Sequence, residues 1–198
     1  MAVVVSIINL KGGVGKSTLA MMFSEYLAFR FNKRVLLIDM DAQANLSYIM
    51  IPARQIELQQ RENKTTLYHF FESILFGQPK PLSAFVARPP MIVSNINRSG
   101  ARETLDIVIS TPEVAQLDQR LLDMWKEGKS MPLNLQYAIK GGLKEIQEQY
   151  DVVLIDCPPG LSLFSSTALI ASDFFVSPII PEPLSLRGVE LVLNCTVN

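Results

Sequence analysis

Three short stretches of this sequence carry residue types suited to phosphate chemistry. The first is Lys11-Gly12-Gly13-Val14-Gly15-Lys16-Ser17-Thr18. Its three glycines let the backbone fold tightly, so that successive N–H groups point inward at an anion. A helix opening at this point adds the positive end of its dipole. Lys16 then supplies a mobile point charge for β- and γ-phosphates, and Ser17 a hydroxyl for Mg²⁺. The second stretch is Ile38-Asp39-Met40-Asp41-Ala42-Gln43-Ala44-Asn45-Leu46-Ser47, with two carboxylates two residues apart. One can support a metal shell while the other orients or polarises a water, as phosphoryl transfer requires. The third is Val152-Val153-Leu154-Ile155-Asp156-Cys157-Pro158-Pro159-Gly160, an apolar run that ends in a carboxylate and a turn.

Each stretch needs a buried strand beneath it. Val3 to Asn9 is a β-branched run stopped by glycines, which reads as a strand covered on both faces. Ser17 to Phe31 is helical and apolar on most sides (Leu19, Met22, Phe23, Tyr26, Leu27), so this helix is expected to be largely covered. Arg34 to Asp39 is a second buried strand, and strand, helix and strand make a βαβ unit with a parallel pair. Further strands are expected at Leu105–Ser110, Asp151–Asp156 and Asp173–Ile180. Helices are expected at Thr65–Phe76, after a cap at Thr111-Pro112-Glu113, at Leu133–Tyr150 with a break at Gly141-Gly142, at Ser165–Ala171 and at Leu184–Leu193. Between Tyr48 and Thr104 the pattern is weak, and Gly77 to Gly100 reads as loop with at most a short strand near Met91 to Val93. The alternation implies an α/β fold, a doubly wound, mostly parallel sheet with helices on both faces. Open sheets of this kind bind ligands at the carboxyl ends of their strands.

Composition narrows the setting. The 198 residues fit one domain, with a variable insertion at about 49–104, and 48% of them are apolar, enough to cover both faces of a sheet. A net charge of −1 and a pI near 5.9 exclude a global basic field for nucleic acid, though a local patch stays open. Arg88, Arg98 and Arg102 read as solvated loop charges. Cys157 and Cys195 form neither a metal-ligand spacing nor a disulfide framework, which suits a reducing compartment. The apolar start, Ala2 to Leu10, lacks a basic leader and a cleavage site. No run reaches the ~18 apolar residues of a membrane span. A soluble, cytoplasmic protein with no membrane partner is therefore expected. His69 and Trp125 read as packing residues.

One departure in the first stretch points to a family. The ordinary pattern G-x-x-x-x-G-K-[ST] wants glycine where this sequence has Leu10, and Lys11 follows. In the form K-G-G-x-G-K-[ST] the sequence resembles the ParA/MinD family of deviant Walker A P-loop ATPases. The second stretch resembles that family's switch I, D-x-D-P-Q-[GA]-N, with Ala42 in place of the proline. The third resembles its Walker B strand and switch II turn. The resemblance implies ATP and Mg²⁺ as cofactors, with residues Lys11 to Thr18 holding the nucleotide. It implies that Lys11 reaches across an ATP-dependent homodimer, that Asp41 handles the attacking water, and that Ser17, Asp39 and Asp156 serve the metal. Lys11, Lys16 and Asp41 are thus the implied catalytic set.

Among relatives, the resemblance fits the ParA-type partition ATPases best, through D-x-D-x-Q-A-N and Pro181-Glu182-Pro183-Leu184-Ser185-Leu186. It implies slow hydrolysis stimulated by a ParB-type partner, and nonspecific DNA as the surface on which the dimer works. A typical member continues with further strand and helix that hold the adenine and bind DNA, so that part is expected to lie outside these residues. A MinD-type member needs a C-terminal amphipathic helix for the membrane, which the sequence does not show. A nitrogenase iron protein needs cluster cysteines, which are also missing. A nucleotide-gated scaffold with little hydrolysis remains as the alternative.

Overall fold

A computed structural model describes residues 1–89, 105–128, 133–181 and 189–193. Its centre is a six-stranded sheet in the order β3-β4-β2-β5-β1-β6. The strands are β1 (Val3–Ile7), β2 (Val35–Asp39), β3 (Val86–Ala87), β4 (Leu105–Val108), β5 (Val152–Asp156) and β6 (Phe174–Val176). Only β3 runs antiparallel to its neighbour. The fold class expected from the sequence is the one observed.

The helices are α1 (Lys16–Phe31), α2 (Asn45–Met50), α3 (Ala53–Leu58), α4 (Leu67–Leu75), α5 (Val114–Lys126), α6 (Leu133–Gln136), α7 (Ala138–Ile146) and α8 (Leu163–Ala171). Residues 189–193 are also helical. Alternate residues of the central strands feed two cores. Leu36, Ile38, Val153 and Ile155 pack on one side with Phe70, Phe71, Phe164 and Ile139. Val35, Leu37 and Leu154 pack on the other with Ala20, Ala28, Leu46 and Ile56. Continuous apolar strands are what a sheet covered on both faces demands.

Several expectations are corrected. Strands β1 and β2 run parallel but do not pair, because β5 lies between them. Helix α1 is not covered on most sides. It buries the small stripe Ala20, Ser24 and Ala28, while Met22 and Tyr26 are 57% and 58% exposed. Small residues let the helix lie close to the sheet, and its large apolar residues turn outward. The strand expected over Asp173–Ile180 pairs only as Phe174–Val176. Helix α5 begins at Val114, not at Pro112. The Thr111 hydroxyl donates to Gln60 Oε1 at 3.2 Å, and the Thr111 carbonyl accepts from Val114 N–H. The weakly patterned stretch after Tyr48 holds α2, α3 and a π-turn at Gln59–Asn63. Arg88 is not a free loop charge. It pairs with Asp106 at 2.9 Å, and the Tyr150 hydroxyl donates to the same carboxylate at 3.0 Å. The expected strand near Met91–Val93, Arg98, Arg102, and residues 184–188 of the last helix lie outside the described residues.

The break expected at Gly141-Gly142 falls instead at Tyr137, and both glycines lie inside α7. They differ sharply in surroundings. A Cβ on Gly142 would meet Leu82 Cβ at 2.8 Å and Phe70 Cζ at 3.4 Å, whereas one on Gly141 would meet nothing within 4 Å. Alanine raises helix propensity by about 1 kcal/mol at either site, but overpacking costs about 1–3 kcal/mol at the crowded one. Gly141→Ala should therefore raise the urea midpoint and Gly142→Ala should lower it. Equal midpoints would mean that the Leu82 contact yields freely.

Candidate nucleotide site

Strand β1 ends at Ile7, and the chain turns through Lys11 to Gly15 into α1. Gly13 and Gly15 sit at φ +74° and +87°, where an L side chain is strained. A Cβ at Gly12, Gly13 or Gly15 would touch no protein atom within 4 Å. Packing does not demand these glycines; at Gly13 and Gly15 the backbone conformation does, and the space above the loop is open. Helix α1 has no side-chain cap, so its first N–H groups face the same space.

That space is an open cleft of about 630 Å³, lined by Gly12, Gly13, Gly15, Lys16, Ser17, Thr18, Asp41, Gln43, Asn45, Tyr48, Ile49 and Pro159. The structure thus brings the glycine loop, the DxDxQAN segment and the Pro-Pro-Gly turn to one place. Lys11 and Val14 belong to the loop but do not line this cleft, and Asp39 and Asp156 lie beneath it.

The two buried carboxylates face each other across paired strands, Asp39 opposite Asp156, with Ile7 on the far side of Asp156. Their surroundings differ. Asp39 is fully buried and already bonded: Oδ1 accepts from Asp41 N–H at 3.1 Å, and Oδ2 from Ser47 N–H at 2.8 Å and Ser47 Oγ at 2.7 Å. Burial raises its pKa to about 6 against the pull of those bonds. Asp156 has neither oxygen hydrogen-bonded, although both are buried. Burial first and the charge of Asp39 second raise its pKa to about 7. Ser17 stands close enough to favour the charged form slightly, without a hydrogen bond of good geometry. An unpartnered buried carboxylate is expensive unless a cation completes it. Asp156 beside Ser17 fits a hydrated divalent metal.

Lys16 is buried and its ammonium donates to the Lys11 carbonyl at 3.1 Å. Desolvation lowers its pKa, against the opposing charges of Asp156 and Asp41. Asp41 is half-buried, and its Oδ1 accepts from Gln43 N–H at 2.9 Å, which bends the segment into α2. Ala44, next along, holds φ +54°. A non-glycine residue there stores about 1 kcal/mol of strain, and the small side chain keeps it bearable. Cys157 is a buried core residue whose thiol pKa is pushed up by burial. His69 bonds Thr66 through Nδ1 at 2.9 Å and takes no part.

Two residues escaped the sequence reading. Ser47 clamps Asp39 and also accepts Ser110 N–H at 2.8 Å. Asn9 is fully buried at the strand end. A polar residue after the apolar pair Ile7-Ile8, at the end of the expected strand, is the signal that could have found Asn9.

The pKa values predict a pH effect. Both acids have folded values above the ordinary 3.8, so they favour folding when protonated. That contribution is full below about pH 4 and is lost as pH rises through about 6 and 7. The melting temperature of the protein in EDTA should fall by a few degrees between pH 5 and 8, and Mg²⁺ with ADP should flatten the slope. A melting temperature that rises over this range in EDTA would contradict the burial of these carboxylates.

The AAA domain family model, AAA_31, matches residues 2–198. The chain belongs to that family. It is 28% identical over 194 residues to the sporulation initiation inhibitor protein Soj of Bacillus subtilis, covering 98% of this chain and 64% of that one. It is 30% identical to the virulence plasmid ParA family protein pGP5-D of Chlamydia psittaci, covering 93% and 59%. A crystal structure of cobyrinic acid a,c-diamide synthase from Mycobacterium smegmatis, with bound ADP and magnesium, superposes with a TM-score of 0.73 at 26% identity over 100% of this chain and 67% of that one. The chain thus spans somewhat under two thirds of these curated relatives. Within the AAA domain family it is of the ParA/MinD type of P-loop ATPases.

Proposed function

We propose that this AAA-family domain binds ATP with Mg²⁺, pairs with a second copy in that state, and is reset by slow hydrolysis, as a ParA-type partition ATPase. The observation that carries this reading is Asp156, buried with both oxygens unpartnered beneath the glycine loop and beside Ser17 and Lys16. Backbone N–H groups from Gly12 to Thr18, Val14 included, cradle the phosphates, and Lys16 moves from the Lys11 carbonyl to the β- and γ-oxygens. Ser17 and Asp156 would hold the metal, whose charge would offset the charge of the phosphates. Asp39 supports the metal side through its charge while it anchors Asp41 and Ser47. Asp41, at the cleft wall, orients the attacking water. Lys11, outside its own cleft, serves the partner's phosphates.

The partition role follows from the likeness to Soj and pGP5-D. It brings a ParB-type protein that stimulates hydrolysis, nonspecific DNA as the working surface, and a nucleoid-associated place in the cytoplasm. Neither adenine recognition nor the DNA contacts are assigned to residues described above. Among the described residues no helix is long and apolar enough to cross a membrane.

Light scattering with ATP or ADP, run beside a phosphate-release assay, tests the reading. Mass should double with ATP and Mg²⁺ only, and phosphate should appear slowly. A monomer under all conditions that releases no phosphate would sink it.

A further inference from the structure

The β1–β6 pairing has an unusual end. Ile8 N–H donates to the Val176 carbonyl at 2.9 Å, the last backbone bond between the two strands. In a parallel ladder the next donor would be the N–H of Leu10, bonding to Pro178. The chain is by then leaving the sheet for the glycine loop. The Asn9 side chain takes the vacated place: its Nδ2 donates to the Pro178 carbonyl at 2.9 Å. Its Oδ1 accepts from Lys11 N–H, also at 2.9 Å. Both ends of the amide are used, one by a carbonyl and one by an N–H, so its orientation is determined. Lys11 in turn offers its carbonyl to the Lys16 ammonium.

One buried side chain therefore joins the backbone of Lys11 to the segment that leaves β6. Pro178 has no N–H, and the buried Ser177 hydroxyl has no hydrogen-bond partner. When Lys16 swings to a phosphate, the Lys11 carbonyl loses a donor and the loop backbone must readjust. Asn9 passes that readjustment to Pro178. We propose that Asn9 is a positioning residue that locks the phosphate loop to the exit of β6, so that both respond to bound nucleotide as one unit. The idea rests on the ATP-binding reading above.

Hydrogen exchange with and without ATP and Mg²⁺ tests it at pH 8, on the wild type, Asn9→Ala and Asn9→Asp. In the wild type, ATP should protect the amides of residues 11–16 and also those of Ser177, Ile179 and Ile180. Asn9→Asp keeps an acceptor for Lys11 N–H but sets a carboxylate against the Pro178 carbonyl. It should hold ATP nearly as well, keep protection in the loop, and lose it after β6. Asn9→Ala leaves the part-buried Lys11 N–H without its acceptor, which should weaken ATP about tenfold and remove the response at both places. A merely structural role would lower the melting temperature of both variants while leaving the response after β6 intact in folded molecules. That outcome, or a wild type silent at Ser177 to Ile180 when ATP is bound, overturns the proposal. A wild type that binds no ATP overturns the ATPase reading and the lock together. Binding with an unaltered Asn9→Asp response overturns the lock alone.

Discussion

Lys16→Ala is expected to remain folded and to lose ATP. In the protein Lys16 is buried, with desolvation working against its charge, so its removal relieves that cost while it forfeits the bond to the Lys11 carbonyl and the attraction of Asp156 and Asp41. The nucleotide loses two or three charge-assisted hydrogen bonds worth about 1.5–3 kcal/mol each. At about 1.4 kcal/mol per decade, affinity should fall by roughly a hundredfold or more. Calorimetric titration with ATP and Mg²⁺ reads the affinity, and a thermal melt confirms the fold. Equal affinity in the variant and the wild type would remove the phosphate assignment of the whole loop.

Lys11→Ala and Asp41→Ala should part company even though both stop turnover. Lys11 does not line its own cleft, and a cation delivered to a partner's phosphates can be worth about 10³–10⁵ in rate. Without it the ATP-dependent dimer should not form. Asp41 lines the cleft, and its carboxylate accepts from Gln43 N–H. Its loss should cost hydrolysis about 10²–10⁴ through the water it orients. It also removes a negative charge facing the γ-phosphate, which favours the ATP state. Light scattering with ATP should therefore find Lys11→Ala monomeric and Asp41→Ala persistently dimeric, once the wild type is shown to dimerise. The same mass for both would defeat the two roles, whatever their activities.

The stretches that meet at the candidate site were legible because each pattern is local. A glycine loop between a strand and a helix needs only consecutive residues, and Asp39 and Asp156 announce themselves as acids that end apolar runs. Their differing fates were not legible. What occupies Asp39 is Ser47, eight residues on, and what leaves Asp156 bare is the lack of any such clamp after Pro158-Pro159. Parallel strands were implied by the βαβ pattern, but their order was not, since β5 lies between β1 and β2. The short β6 was not legible either, since Ser177 to Ile180 continue its apolar character without its pairing. Helix α1 misled in the other direction. Its large apolar residues suggested full cover, while the sheet wanted the small ones, and hydrophobicity alone does not tell contact from exposure. Asn9 was hidden for a similar reason, because one polar residue in a strand carries no hint of a partner 169 positions away.

The pairing of Asp39 with Asp156 also constrains how this chain can change length over time. Side chains alternate along a strand, so inserting or deleting one residue in β2 or β5 would send one carboxylate to the opposite face of the sheet. The register of Val35 to Asp39 against Val152 to Asp156 is therefore inherited as a block. Gains and losses of residues are tolerable only where they leave that alignment alone. The stretch from Ile51 through Ala87, which leaves β2 behind and returns at the far edge of the sheet beside β4, is where such drift can accumulate. Lineages of this domain should differ most in length there, and hardly at all between Val3 and Asp39.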